Sequence, residues 1–189
     1  MAPIEKPCRG RPRTFDAEAG VDLALRAFAR RGYDDVSVSD LCDALAIKPP
    51  SLYAAYGSKR ALFDRAVARY GAASGQVYEE AISGASDLAD LRRRVLLAAL
   101  DLYLRDGGVG CLVLGTLGST GDSALRDDLG AIVAARRAAM MARAMELGAD
   151  ADTARAEVSA ISVAMMGLSA AARSGMDDQT LRTAALRLI

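Results

Sequence analysis

Two tyrosines lie three residues apart in the segment IKPPSLYAAYGSK, which covers positions 47–59 and has a lysine near each end. Tyr53 and Tyr56 share one face if the segment is helical, because residues three apart are neighbours on a helix surface. Pro49 and Pro50 suit only the first turn of such a helix, where their missing N–H groups would have no partner. Hydroxyl and ammonium groups donate hydrogen bonds to anions. The segment therefore predicts a short helix that can present donors to an anionic partner.

The composition offers little to an enzyme. The 189-residue chain contains no histidine, which removes the usual general base and the usual zinc ligand. It also contains no G-x-S-x-G motif and no glycine loop of the kind that holds phosphate. We therefore predict no catalytic residue, no metal site and no cofactor.

The cysteines and the longest apolar run indicate the compartment. Cys8, Cys42 and Cys111 are an odd number, are widely spaced and form no C-x-x-C pair, which favours a reducing environment over a disulfide framework. The amino terminus lacks the apolar stretch of a signal peptide. The longest uncharged run, 158–172, is too short to span a bilayer. The prediction is a cytoplasmic protein with no membrane segment.

Charge is divided unevenly along a chain whose net charge is zero. Up to Tyr70 there are twelve basic and nine acidic residues, and the remainder has twelve basic and fifteen acidic ones. Such asymmetry suggests one end that binds a polyanion and a larger neutral or acidic part.

The chain is predicted to be helical throughout. Alanine, leucine and arginine recur, aromatic residues make up 5%, and no strand pattern or internal repeat is present. Apolar residues at helical spacing predict a first helix that ends before Gly32 and another that begins at Lys59. Four further helices are predicted behind them, the first capped by Ser86 and the second by Asp122 or Ser123.

Two short helices precede Lys59. Ser37 is the predicted N-cap of a helix from Val38 to Leu45, with Asp40 completing a shortened capping box. Only positions 46–48 separate this helix from the one that holds the tyrosines. Helices joined so tightly cannot lie antiparallel and must cross steeply, which is the helix-turn-helix arrangement.

The segment FARRGYDDVSVSDLCDALAIKPPSLYAAYGSKRALF, positions 28–63, resembles the DNA-binding domain of the tetracycline-repressor (TetR/AcrR) family of bacterial transcriptional regulators. The patterns that carry the resemblance are Phe-x-x-x-Gly-Tyr, Ser-Val-x-x-Leu and Ser-Leu-Tyr-x-x-Tyr-x-Ser-Lys-x-x-Leu, in that order. The resemblance implies an all-α fold, with a three-helix DNA-binding head and a larger helical body for ligand binding and dimerisation. We predict a flexible basic arm at 1–13, the head at 14–70 and the body at 71–189.

The resemblance also implies a repressor that binds a palindromic double-stranded DNA operator. Tyr53 and Lys59 correspond to residues that contact phosphate, which leaves contacts with base edges to the start of the tyrosine helix. The predicted DNA-binding residues are Ser37, Lys48, Pro49, Pro50, Ser51, Tyr53, Tyr56, Lys59, Arg11 and Arg13. For Tyr56 the alternative is packing against Phe63 or the first helix, and for the arginines it is solubilising charge.

Two positions depart from the family pattern. Ala46 stands in the turn where the family commonly has glycine, and alanine is costly there if φ is positive. Lys48 stands at the N-cap where the family has serine or threonine, and lysine cannot accept the capping hydrogen bond. A cation at a helix start is also unfavourable, and a DNA phosphate would relieve it.

A small-molecule effector of unknown identity is implied for the body. Its predicted pocket borders the glycine-broken apolar stretch GCLVLGTLG at 110–118. The predicted pocket residues are Cys111, Leu112, Leu114, Leu117 and Met140. Cys111 has three interpretations: a small buried residue, a contact in the pocket, or a reactive or metal-binding thiol.

A two-fold homodimer is expected, because two-fold operators require two-fold proteins. In the resembling family the last two helices of each subunit form a four-helix bundle across the dimer. The predicted interface residues are Ile161, Ala164, Met165, Leu168, Leu181 and Leu188. The alternative function from another class is a helical ligand-binding or adaptor protein that does not bind DNA, which would not need SLYAAYGSK.

Overall fold

The computed structural model describes residues 16–189, and it confirms the all-α prediction over that range. These residues form nine α-helices and no strand. The helices are α1 (Ala17–Arg31), α2 (Val38–Leu45), α3 (Pro49–Tyr56), α4 (Lys59–Ser83), α5 (Leu88–Gly108), α6 (Leu112–Ser119), α7 (Ser123–Glu146), α8 (Ala151–Arg173) and α9 (Asp178–Ala185).

An aromatic cluster holds the head together where α1 meets α4. The Phe63 ring lies edge-on to Phe28 with centroids 5.0 Å apart and to Tyr33 at 4.8 Å. Both phenylalanines are buried, and aromatic pairs of this geometry stabilise a core beyond the area they bury. This cluster fixes the start of α4 against the end of α1.

The turn between α2 and α3 sets the direction of α3. The capping box predicted for Ser37 and Asp40 is present, and α2 has the predicted bounds. Ala46 then takes the left-handed conformation, with φ 53° and ψ 41°. One residue in this region ends α2 and redirects the chain before α3, and the steep crossing of the two helices remains a prediction.

Two side chains anchor the eight-residue α3, which is too short to be stable alone. Leu52 is fully buried and Tyr56 is 5% exposed. The Tyr56 hydroxyl donates a hydrogen bond to the carbonyl oxygen of Ala17, at 2.8 Å. The inner face of α3 is therefore tied to α1, and its outer face stays at the surface.

The body is built around α5, which packs on α4, α8 and α9. Leu91, Leu96, Leu100 and Tyr103 of α5 are all fully buried. The predicted cap of this helix was wrong by one residue, because Asp87 rather than Ser86 accepts the N–H of Asp90, at 2.8 Å. Helix α4 continues unbroken through 71–75, so it serves both head and body, and the predicted domain division at Tyr70 remains a prediction.

The left-handed alanine gives a first testable prediction. Replacing Ala46 with glycine should raise the free energy of unfolding by about 1 kcal/mol, because glycine adopts positive φ without the Cβ clash. Urea denaturation measures the change. The matched control is Ala44→Gly, inside α2, which should lower stability by about 1 kcal/mol. An equal loss of stability in the two glycine variants would contradict a positive φ at Ala46.

The anchoring of α3 gives a second prediction. Tyr56→Phe should lower the free energy of unfolding by about 1 kcal/mol, since it removes the hydrogen bond to Ala17 and keeps the ring. Tyr53→Phe is the control and should leave stability unchanged, because Tyr53 is 49% exposed. Thermal or urea unfolding of the two variants distinguishes a packed tyrosine from an exposed one, and equal stability of both would contradict the anchoring role.

Candidate nucleic-acid interface

The outer face of α3 is a continuous exposed surface. The exposed residues are Lys48, Pro49, Pro50, Ser51, Tyr53 and Ala54. Most of their side chains are small or rigid, so a binding partner can approach the helix backbone closely. Of the predicted DNA-binding residues, the structure thus brings Lys48, Ser51 and Tyr53 together on one short helix.

The start of α3 has no side-chain cap, as predicted. Lys48 has extended backbone geometry at the N-cap and makes no capping hydrogen bond. Pro49 and Pro50 occupy the first two helical positions, and the first turn contains no acidic residue. The positive end of the helix dipole and the Lys48 ammonium group therefore share one exposed end, which favours an anion there.

Lys59 lies at the start of α4, where Ser58 caps the helix by accepting the N–H of Ala61 at 3.0 Å. Its ammonium nitrogen is 4.3 Å from the centroid of the Tyr33 ring, a cation–π distance. Burial lowers the pKa of Lys59 below its ordinary value, and the carboxylate of Asp34 opposes this shift. Lys59 is thus held in place by the aromatic cluster, with part of its surface still accessible.

Ser37 is exposed, but it is already hydrogen-bonded to Asp40. The Ser37 N–H donates to Asp40 Oδ2 at 2.7 Å, and the Asp40 N–H donates to Ser37 Oγ at 3.1 Å. The Arg31 guanidinium, 2.8 Å from Asp40 Oδ1, holds the pKa of Asp40 well below its ordinary range, and Ser37 adds to the effect. The predicted contact of Ser37 with DNA remains a prediction and would require these bonds to be shared or exchanged.

Three other predicted DNA contacts have different outcomes. Arg11 and Arg13 lie outside the described residues. Tyr56 points into the head, with its hydroxyl on Ala17, and the Arg65 guanidinium lies 5.1 Å from its ring centroid. This burial fits the packing alternative for Tyr56, which we leave out of the interface proposed below.

A set of polar contacts joins the head to the loop between α6 and α7. The Thr120 hydroxyl and the Gly121 N–H both donate to the Asp34 carboxylate, at 3.2 and 2.8 Å. Arg60, near the start of α4, pairs with Asp128 of α7. These residues could not be identified from the sequence, because partners so far apart in the chain leave no local pattern.

Cys111, Leu114 and Met140 line a cavity of about 20 Å³ between α6, α7 and α8, room for about one water molecule. Leu112 is instead buried in the core, and Leu117 packs against that core without lining the cavity. Leu112 and Leu117 therefore remain predicted pocket residues that do not line this cavity.

Cys111 is the N-cap of α6 and is 1% exposed. Its Sγ accepts hydrogen bonds from the Leu114 N–H at 3.5 Å and from the Tyr70 hydroxyl at 3.4 Å. Its own N–H donates to Ser169 Oγ at 2.9 Å. These contacts support the interpretation of Cys111 as a small buried residue that also borders the cavity.

Three buried phenols surround this cysteine. Burial raises the pKa of Tyr78 to about 12 and raises those of Tyr70 and Tyr103 as well. The Tyr78 and Tyr103 hydroxyls affect each other's pKa, yet neither makes a hydrogen bond of ordinary geometry to a described residue. The Arg136 guanidinium lies 3.8 Å from the Tyr78 ring centroid and also borders the cavity. The cavity is therefore small and mostly apolar, and the three phenols lie near Cys111 without lining it.

The structure leaves few of the predicted dimer residues at the surface, and the predicted interface remains a prediction. Ile161, Met165, Leu168 and Leu181 are buried within the single chain, because these faces of α8 and α9 cover α5. Ala164 is half-buried, and Leu188 is exposed. The exposed face of α8 carries Ala160, Val163, Gly167 and Ala170 instead.

Two further findings concern the described part of the chain. No group of three or more histidine, cysteine or acidic residues in it is arranged to hold a metal ion. None of the helices between residues 16 and 189 combines the length and apolar character needed to span a membrane.

Sequence comparison places the head in a known group. Residues 21–66 match the family described as "Bacterial regulatory proteins, tetR family". The chain is 43% identical over 112 residues to the HTH-type transcriptional repressor BdcR of Escherichia coli (strain K12), a match that covers 56% of this chain and 54% of that protein. It is 40% identical over 90 residues to the repressor ComR of the same strain, covering 45% and 43%. The chain thus spans about half the length of the curated relatives it matches.

A solved structure extends the similarity to the whole chain. The TetR family transcriptional regulator CifR, as a cysteine mutant complexed with 26-bp double-strand operator DNA, is 30% identical with a TM-score of 0.79. The match covers 94% of this chain and 97% of that one. Head and body together therefore show that this chain belongs to the TetR family of transcriptional regulators.

Proposed function

We propose that this protein is a repressor that binds a palindromic DNA operator as a homodimer and is released by a small-molecule effector. The observation that carries the proposal is the exposed outer face of α3, with Lys48, Ser51 and Tyr53 on a helix whose inner face is anchored by Leu52 and Tyr56. Support comes from the relatives named as repressors and from the operator complex of CifR.

The start of α3 is the part that would enter the major groove. Recognition helices place their first residues against base edges, and Lys48 and Ser51 are the donors available there. Tyr53, half exposed one turn further on, would contact phosphate, as would Lys59 at the start of α4. Phosphate contacts fix the position of the head, and base contacts select the sequence.

A second copy of the chain would pack on the exposed faces of α8 and α9. Val163 is 70% exposed and Leu186 is 62% exposed, so each of the two C-terminal elements carries a large apolar side chain at the surface that a second copy could cover. Ala160, Gly167 and Ala170 flank Val163 at helical spacing and would allow close approach of a facing helix. The interface thus stays on the two helices predicted from the sequence, α8 and α9, but on their exposed faces.

The effector would act through the cavity beside Cys111. A molecule larger than water must widen this space, and the neighbouring Tyr78 and Tyr103 hydroxyls could then find partners. Helix α6, whose N-cap is Cys111, leads directly to Thr120 and Gly121. These two residues donate hydrogen bonds to Asp34 of the head. Displacement of α6 would therefore reach the head and change the separation of the two heads of a dimer.

The interface on α3 gives a third prediction. Lys48→Ala should weaken operator binding about tenfold and reduce the salt dependence by about one ion, because Lys48 is an exposed cation at the helix start. Fluorescence anisotropy at several salt concentrations measures both quantities. Arg155→Ala is the control, since the one ion pair of this exposed arginine of α8 with a described residue is the pair with the exposed Asp152. Unchanged affinity and salt slope in Lys48→Ala would contradict the proposed interface.

The dimer face gives a fourth prediction. Val163→Glu should convert the dimer to a monomer at micromolar concentration, because burying an unpaired carboxylate at an interface is costly. Sedimentation velocity measures the change. Leu23→Glu, at an exposed leucine of the head, should leave the dimer intact. A dimer that survives Val163→Glu, or a wild-type monomer, would show that this face is not the interface.

A further inference from the structure

A second, larger cavity lies at the junction of head and body. Its volume is about 230 Å³, and its walls come from α1, α4, α5 and the turn that follows α5. Tyr70 separates it from the cavity beside Cys111, because Tyr70 lines the junction cavity and its hydroxyl reaches Cys111 Sγ. The junction cavity is thus a distinct space, next to the proposed effector site.

The charged residues around the junction cavity are mostly basic. Arg26, Arg69 and Arg105 line it, and Asp22 is the one carboxylate among its described lining residues. Asp22 is already paired with Arg69, whose Nη1 lies 2.9 and 3.1 Å from its two oxygens. No ion pair or side-chain hydrogen bond joins Arg105 to another residue whose side chain the structure describes. Positive charge therefore remains at the cavity after the internal pair is formed.

A buried hydroxyl also lines this space without a partner. Ser74 is 1% exposed, and its Oγ makes no hydrogen bond to any described residue. Buried polar atoms are nearly always hydrogen-bonded in folded proteins, so a ligand atom would complete the site. Leu25, Leu102 and Val109 supply apolar wall on the remaining sides.

Size and lining together define the ligand class. A cavity of about 150 Å³ holds benzene, so the junction cavity has room for one ring with a charged substituent. A guanidinium binds a carboxylate in a two-pronged geometry, whereas the apolar walls offer no partners for the hydroxyls of a sugar phosphate. We propose that the junction cavity binds a small organic anion of the monocyclic aromatic carboxylate class, with its carboxylate at Arg105 and its ring against the leucines.

Such a ligand would touch Leu25 of the head and Leu102 of the body at once. It would favour the arrangement of head and body in which both walls fit it. If the chain binds an operator as proposed above, occupancy of this cavity would change operator affinity, and this regulatory consequence rests on that proposed function. The binding itself does not.

Benzoate is the probe that tests the site, titrated into the full chain by calorimetry and by NMR. We expect saturable binding of one benzoate per protomer, and about tenfold weaker binding of benzamide, which has the same shape without the charge. Arg105→Gln should weaken benzoate binding about tenfold. Ala73→Trp, at an exposed alanine of the cavity wall, should abolish it by filling the space.

Arg155→Gln is the matched control and should bind benzoate like the wild type, and thermal unfolding checks that each variant is folded. The site is overturned if benzoate shows no saturable binding, if benzamide binds equally well, or if Arg105→Gln binds like the wild type. Anisotropy with operator DNA, with and without benzoate, tests the regulatory consequence separately. Benzoate binding without an effect on operator affinity would overturn that consequence alone, and failure to bind any operator would overturn the proposed function while the site stands.

Discussion

One continuous helix, α4, links the two parts of the molecule. Its first residue, Lys59, lies directly after α3, and Phe63 one turn later completes the aromatic cluster of the head. The same helix reaches Tyr78 in the body, and its 25 residues span about 37 Å in all. Because an α-helix resists bending over such a span, the position of the recognition helix depends on how the body holds the far end of α4.

The body contacts the head at a second place, through two sets of polar contacts. The loop after α6 binds Asp34 beside the aromatic cluster, and Asp128 of α7 binds Arg60 in the first turn of α4. The start of α6 is therefore connected to the head through one eight-residue helix and these hydrogen bonds. Both cavities lie beside these elements, the smaller one at Cys111 and the larger one at the junction of head and body.

Local rules explain which parts were predictable from the sequence. The bounds of α2 followed from the capping box at Ser37, and the uncapped start of α3 followed from Lys48, because both depend only on neighbouring residues. Which face of α8 is exposed could not be predicted from the sequence, because apolar residues occur on all its sides. Packing against α5 buries Ile161, whereas Val163 stays exposed. The cavities and the contacts of Asp34 likewise depend on residues distant in the chain.

The central prediction is that the two heads of a dimer together recognise one DNA sequence with two-fold symmetry. The most direct measurement is repeated selection of random-sequence duplexes by the purified protein, followed by sequencing of the bound pool. The expected result is enrichment of a single motif with two-fold symmetry, whose half-sites are spaced for two heads of one dimer. Bound duplexes with no enriched sequence, or with one that lacks two-fold symmetry, would contradict the account.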